Sequence, residues 1–325
     1  MRVLVTGMGG ELGSRVAALL EADRRVKALV GMDIFPPRRT LRPSTIFHIV
    51  DPRDRRKVVP IVRQFAPTAI VHLGVYEPDA RSSPHVAAER TAVGTLAVLG
   101  AAADLGGLKS IVLRSGLEIY GRAHAGVTVP DEDVVPVPRS GFGRSLLEVE
   151  RLAVATARSA GVPLATLRFA PIVGAHFPSP LSRLLRLSIV PYSLLADPPF
   201  SVIHPDDAAR AVVGALMERI DQPLNLVAPG AVTVSQAARM GRRVPLGLLG
   251  PEWALVRRIT SAAGAPIPPH LLEVLHRGRT ADGRRADELL SPVSRDTQEI
   301  IAELYRDDPP PAALHLVRGD IAGAA

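Results

Sequence analysis

A glycine-rich run, Gly7-Met8-Gly9-Gly10-Glu11-Leu12-Gly13, follows the apolar residues Val3–Thr6 and leads straight into a segment of helical period. Glycines at 7, 10 and 13 suit three tasks: a tight turn, room for a pyrophosphate to approach the backbone, and close packing of helix on strand. The helix N-terminus, opening at Glu11 and Leu12, then offers free N–H groups to the phosphates. Asp33 stands 20 residues beyond Gly13, after the second apolar run, where a carboxylate accepts hydrogen bonds from an adenosine ribose diol. That charge repels a 2′-phosphate and favours NAD; Arg38 and Arg39 close by keep NADP as the alternative. Asp51, ending the third run, reads either as a partner for the adenine amino group or as a plain helix cap.

These residues need a scaffold of parallel strands joined by helices, and the apolar patterning supplies one. Strands are expected at Val3–Thr6, Val26–Val30, Ile46–Val50, Ala69–Leu73, Ile111–Arg114 and Leu164–Phe169, with helices at Leu12–Ala22, Arg53–Phe65, Ala87–Leu105 and Ser145–Ala160. The fold class is α/β, a Rossmann-type doubly wound parallel sheet with a smaller C-terminal substrate lobe. Residues 1–174, with contributions from about 200–228, are expected to form the dinucleotide-binding part, and 175–305 the lobe. The lobe is Pro- and Arg-rich, with helices expected at Glu252–Ala263 and Thr297–Tyr305, and 306–325 is expected to be a flexible tail.

The absence of cysteine in 325 residues excludes disulfides, thiolate metal sites, iron–sulfur clusters and a cysteine nucleophile, and points to a cytoplasmic setting. The opening MRVLVTGMGG lacks the apolar stretch of a signal peptide. No apolar run approaches the roughly 20 residues that cross a bilayer, so no membrane partner is expected. A net charge of +7 raises the question of nucleic acid, but +6 of it falls in residues 1–57, where Arg38, Arg39, Arg42, Arg53, Arg55, Arg56 and Lys57 follow the second and third strands. So local an excess suits a small anionic cofactor and argues against nucleic acid.

Together these residues resemble the extended short-chain dehydrogenase/reductases, in particular the NAD-dependent epimerase/dehydratase family. The glycine loop matches TGxxGxxG, Asp51–Asp54 look like DxxD, His72-Leu73-Gly74 like HLA and Val93-Gly94-Thr95 like VxGT. Ser115–Gly121 resemble SSxxVYG, Arg168–Gly174 resemble RxxxxxG and Ile203–Asp207 an HVxD element, so the likeness spans about residues 1–245. It implies cofactor contacts from Gly7, Gly10, Glu11, Leu12 and Gly13, from Asp33, Asp51 and Pro52, and from Leu73, Gly74, Ser115 and Phe169. His72 would support the cofactor without reacting. No metal site is expected. A homodimer through Ala87–Leu105 and Ser145–Ala160 is a further implication.

The family's proton-transfer group is the tyrosine of a YxxxK motif, beside a Ser or Thr. Here those positions read Phe142, Leu146 and Gly116, while Pro171 and Phe200 replace an asparagine and the arginine that grips a sugar-nucleotide diphosphate. Five departures argue against ordinary UDP-sugar epimerisation. Glu118, kept from the Asp-Glu pair of family dehydratases, and Ser115 are the remaining candidates for catalysis; Glu118 also reads as a salt-bridge partner of Arg122 or Arg144. Tyr120 and His124 lie nearby, Tyr120 in a structural turn, and His176 and His204 read as hydrogen-bonded structural groups. Two functions follow: an atypical oxidoreductase or isomerase acting on a small polar hydroxylated, nucleotide-sugar-like substrate, or an inactive dinucleotide-binding sensor or interaction protein.

Overall fold

The computed structural model describes residues 1–78, 83–121 and 128–306. In chain order its elements are β1 (Arg2–Thr6), α1 (Glu11–Ala22), β2 (Ala28–Asp33), β3 (Ile46–Ile49), α2 (Arg55–Phe65), β4 (Ala69–His72), α3 (Pro84–Ala103), β5 (Ser110–Gly116), α4 (Gly141–Ala160), β6 (Leu164–Phe169), α5 (Pro180–Leu185), β7 (Ile189–Ser193), α6 (Pro205–Met217), β8 (Pro223–Leu226), α7 (Val234–Met240), β9 (Val244–Leu248), α8 (Trp253–Ala262), α9 (Pro269–Arg277), α10 (Arg284–Leu289) and α11 (Thr297–Arg306).

Seven strands form one parallel sheet in the order β3-β2-β1-β4-β5-β6-β8. Helices cover both faces, so β4 and β6 are buried along their whole length, as a parallel sheet requires. Chain direction across the sheet reverses between β1 and β4, and the crevice at such a switch point is where ligands enter these folds. On one face α1 packs against α6, and on the other α3 packs between α2 and α4.

The second lobe has its own apolar core, centred on Leu184, Phe200, Leu271, Leu275, Ile300 and Leu304. It contains a parallel pair, β7 with β9, that the apolar patterning does not foretell. Pro191 and Pro245 sit inside these strands and read as breakers, but both strands are edges, where a missing N–H costs little. The seventh strand of the main sheet begins on Pro223, which disguises it in the same way.

Two boundaries matter for the site. The second strand runs Ala28–Asp33, not Val26–Val30, because Arg2 pairs with Ala28 and Val26 belongs to a turn closed on Asp23. Gly31 looks like a stop signal, yet a Cβ there would collide with the buried Met8 thioether, so the glycine is a packing requirement within the strand. Asp33 is thereby the last strand residue, at the carboxyl edge. Helix α4 starts at Gly141, four residues before the expected Ser145, because the Ser140 side chain accepts from Gly143 N–H and caps it. That places Phe142 in the helix's first turn.

Helix α3 corrects one expectation: its 20 residues are long and apolar enough to cross a membrane by length and composition. Half of that apolar window is buried against the rest of the protein. Arg122, His124 and the tail 307–325 lie outside the described residues.

Candidate active site

The glycine loop hangs from β1 and turns into α1. Gly7 has φ +71°, a left-handed conformation, and a Cβ there would lie 2.7 Å from the Leu73 backbone. A Cβ on Gly13 would collide with the Gly7 carbonyl and sit 2.6 Å from Met8 Cα, so helix and loop can only approach this closely around a glycine. Gly9, absent from the expected set, is equally constrained: a Cβ there would collide with the Phe35 carbonyl and lie 3.0 Å from the Asp33 carboxylate. Gly10 differs: the nearest protein atom to its Cβ position is 3.5 Å away, and as N-cap of α1 it offers no side chain to the first-turn N–H groups. A backbone cradle that the protein itself leaves open fits an incoming phosphate. Glu11 and Leu12 contribute only backbone here; the Glu11 carboxylate points to Arg15, 4.0 Å away, and Leu12 is buried.

Asp33 is buried beside this loop. One of its oxygens accepts from Ile34 N–H at 2.7 Å and from the Tyr76 hydroxyl at 3.2 Å. Burial pushes its pKa above the ordinary carboxylate value, against the pull of the Ile34, Tyr76, Gly9 and Gly10 hydrogen bonds. Asp33, Tyr76, Gly7, Gly74, Val50 and Pro52 line a pocket of about 270 Å³ at the switch point. Gly94 lets Pro52 settle against α3, 2.7 Å from where a Cβ would stand. Asp51 is turned away and does not cap α2, whose N-cap is Asp54. Its carboxylate is held by Arg53 at 2.8 Å and Arg90 at 3.5 Å, which keep its pKa below the usual range. His72 is a structural pin: Nδ1 meets Thr6 Oγ1 at 2.8 Å, Nε2 meets Thr95 Oγ1 at 2.9 Å, and burial lowers its pKa to about 4.

A larger cleft of about 610 Å³, mouth included, opens beyond the ends of β5 and β6 toward the second lobe. Ser115, Glu118, Phe142, Leu146, Phe169 and Pro171 line its sheet side, and Glu77 and His270 are also in its wall. Ser115 Oγ is buried without a hydrogen-bond partner, which a polar group in a protein wall seldom tolerates. Glu118, in the helical turn Leu117–Tyr120, folds its carboxylate back over Gly116 into the space a Cβ there would take. The space a side chain at 116 would take is thus filled by a carboxylate from two residues on. Arg144 is turned to the Arg139 carbonyl, 2.6 Å away.

Other expected residues are structural. Arg168 is buried in a two-pronged pair with Glu150 (3.0 and 3.2 Å) and donates to the Tyr120 hydroxyl at 2.6 Å. Tyr120 in turn donates to Asn225 at 3.1 Å. His204 is the N-cap of α6 and lies 3.3 Å from Glu303, with burial lowering its pKa. Phe200 is fully buried in the lobe core, and His176 is exposed. Sequence reasoning missed Tyr76, Glu77 and His270. Tyr76 and Glu77 follow Leu73-Gly74 after one intervening residue, Val75, so their position beside the loop was available; His270, on a short amphipathic helix in the lobe, gives no local signal.

A model of the NAD dependent epimerase/dehydratase family matches residues 3–226. The chain belongs to this family. An uncharacterized protein of Mycobacterium tuberculosis is 27% identical over 260 residues, covering 78% of this chain and 69% of the relative. Among solved structures, UDP-glucose 4-epimerase of Thermotoga maritima, determined with UDP-glucose, superimposes with a TM-score of 0.73 at 18% identity, over 99% of this chain and 100% of that one. The Thermus thermophilus UDP-glucose 4-epimerase, in complex with NAD, gives 0.72 at 21% identity over 94% and 99%. At such identities the likeness establishes the fold. Gly116, Phe142 and Leu146 all line the larger cleft.

Proposed function

We propose that this epimerase/dehydratase-family protein binds NAD, adenosine half at Asp33 and pyrophosphate at Gly10, and oxidises or isomerises a small hydroxylated substrate of nucleotide-sugar type. The dinucleotide-binding part would be residues 1–174 with 200–228, and the lobe 175–305 would close over the substrate. The observation that carries this reading is order along the carboxyl edge of the sheet: Asp33 ends β2, the open Gly10 cradle follows β1, and the 610 Å³ cleft lies beyond β5 and β6. The solved relatives with UDP-glucose and with NAD support the ligand classes. The nicotinamide would supply a hydride acceptor and donor. Ser115, with its unpartnered hydroxyl, would hold a substrate or nicotinamide group, and Glu118 would face the reacting end.

Calorimetry with NAD and NADP, then single-turnover absorbance at about 340 nm with UDP-sugars, tests the reading, because reduced nicotinamide carries the signal. Binding of NAD over NADP and a transient with one of the sugars support it; no dinucleotide binding refutes it. A second reading, a non-catalytic NAD sensor, is favoured by one observation: the residues at the Tyr and Lys positions are Phe142 and Leu146, and both line the cleft. Tight NAD binding with no transient across the sugar panel selects it. The apolar Leu96 on α3 and Val154 on α4 are exposed, which supports a homodimer through these helices; light scattering checks the mass.

A further inference from the structure

Two ionisable side chains outside the family pattern meet at the wall of the larger cleft. Glu77 lies on the loop after β4, and His270 lies in the first turn of α9, in the second lobe. His270 Nε2 and Glu77 Oε1 are 2.8 Å apart. The imidazole is 4% exposed, and its other nitrogen, Nδ1, has no hydrogen-bond partner. The His270 ring packs on Phe142, with centroids 4.9 Å apart and planes at 49°. An imidazole therefore packs against the side chain that stands at the position matched to the family's tyrosine.

Charged groups from every neighbouring element bear on this pair. Burial alone would strip the proton from His270, but the Glu77 hydrogen bond and charge, with Glu118, outweigh it and Arg279, so its pKa sits above the ordinary 6.5. Burial likewise opposes ionisation of Glu77, and the His270 bond and charge, with Arg114 and Arg183, keep its carboxyl below the usual range. Glu273, one turn along α9, pairs with Arg279 at 3.3 Å. A simple latch between the lobes would satisfy both ring nitrogens. Here one nitrogen is committed to an orienting carboxylate and the other is left over, the division of labour of a proton-transfer histidine.

We infer that His270, oriented by Glu77, is the proton-transfer group of the cleft and serves a secondary hydroxyl on a nucleotide-sugar-type substrate. The inference rests on the functional reading above. In the oxidising direction the substrate O–H bond breaks and its proton passes to Nδ1. The carbinol C–H bond breaks with its electron pair, which leaves as hydride to the oxidised nicotinamide, and a C=O bond forms. The return step gives hydride back to carbon and the proton back to oxygen.

The test uses UDP-glucose as probe with the NAD-loaded full chain. His270→Gln keeps an amide toward Glu77, so folding should survive; circular dichroism checks this. The single-turnover rate should fall about 10²- to 10⁴-fold, the worth of a general base, with NAD affinity unchanged. Glu77→Gln removes the group that raises the His270 pKa. The His270 NMR titration, and with it the acid limb of the pH–rate profile, should move to lower pH, which loss of a mere latch would not do. A wild type that turns over while His270→Gln matches it overturns this inference alone, as does a His270 titration indifferent to Glu77→Gln. A wild type that binds NAD and never reduces it overturns the functional reading and this inference with it.

Discussion

The carboxylate folded over Gly116 can be weighed by a double-mutant cycle. Gly116 has φ −157° and ψ 161°, extended backbone that any residue adopts, so alanine brings no backbone strain. On conformational grounds alone Gly116→Ala should stabilise by about 0.4–1 kcal/mol, since the unfolded chain loses freedom. The added methyl would, however, collide with Glu118 Oε2 and come within 3.3 Å of Leu146 Cδ1, a side chain only 1% exposed. The carboxylate has to swing out of its rotamer and surrender its buried contacts, at a cost of about 1.5–3 kcal/mol. Gly116→Ala should thus destabilise the wild type by about 1–2 kcal/mol and stabilise the Glu118→Ala variant, a coupling near 2 kcal/mol. Urea unfolding of the four proteins, followed by the fluorescence of the buried Trp253, reads it out. Equal effects of Gly116→Ala in both backgrounds would refute the claim that Glu118 occupies the space a side chain at 116 would take.

Asp33→Asn tests the ribose site. The raised pKa of Asp33 means its contribution is lost as pH rises from 3.8 through the higher folded value, so the neutral amide should raise the melting temperature of the NAD-free protein at pH 7. The same change should weaken NAD by about 10- to 100-fold through two lost charge-assisted hydrogen bonds, measured by calorimetry. His72, lowered to about 4, titrates in the other direction. Its stabilisation is whole above the unfolded value of 6.5 and falls by about 3 kcal/mol as pH drops to 4; His72→Gln should flatten that slope in urea titrations. Arg168→Met, which strands buried Glu150, should cost about 3–5 kcal/mol, and adding Glu150→Leu should recover most of it.

The main sheet was legible because buried parallel strands write themselves as short apolar runs: β6 runs Leu164–Phe169, as expected, and the first strand and helix differ by a residue. In the lobe the expected helices Glu252–Ala263 and Thr297–Tyr305 are present as α8 and α11, but the strand pair was not legible. Prolines at 191 and 245 in that pair, and at 223 in the last strand of the main sheet, stand where edge or first-residue positions forgive them, and periodicity cannot register an edge. In the site, Gly7, Gly13 and Asp33 announce themselves through the spacing of the glycine loop and the acidic residue after the second strand. Gly9 gives no such signal, because its constraint is the Phe35 carbonyl, brought against the loop from beyond the second strand. His270 and Glu77 are 193 positions apart, and only the docking of α9 on the cleft brings them within 2.8 Å.

Gly116, Glu118, Phe142 and Leu146 are linked through packing. Glycine at 116 leaves a void, and the Glu118 carboxylate fills it. Leu146 closes the same space from α4. Gly143 lets that helix approach the Glu118 backbone, since a Cβ there would lie 3.1 Å from the Glu118 carbonyl carbon. Phe142, on the same turn, packs its ring tilted against His270. Phe142→Tyr alone would therefore place a phenol beside an imidazole and a carboxylate, with no ammonium at 146 to lower its pKa. The titratable groups Glu118, Glu77 and His270 share one cleft with this packed wall, and under the function proposed above the proton chemistry would lie on the side of α9 rather than of α4.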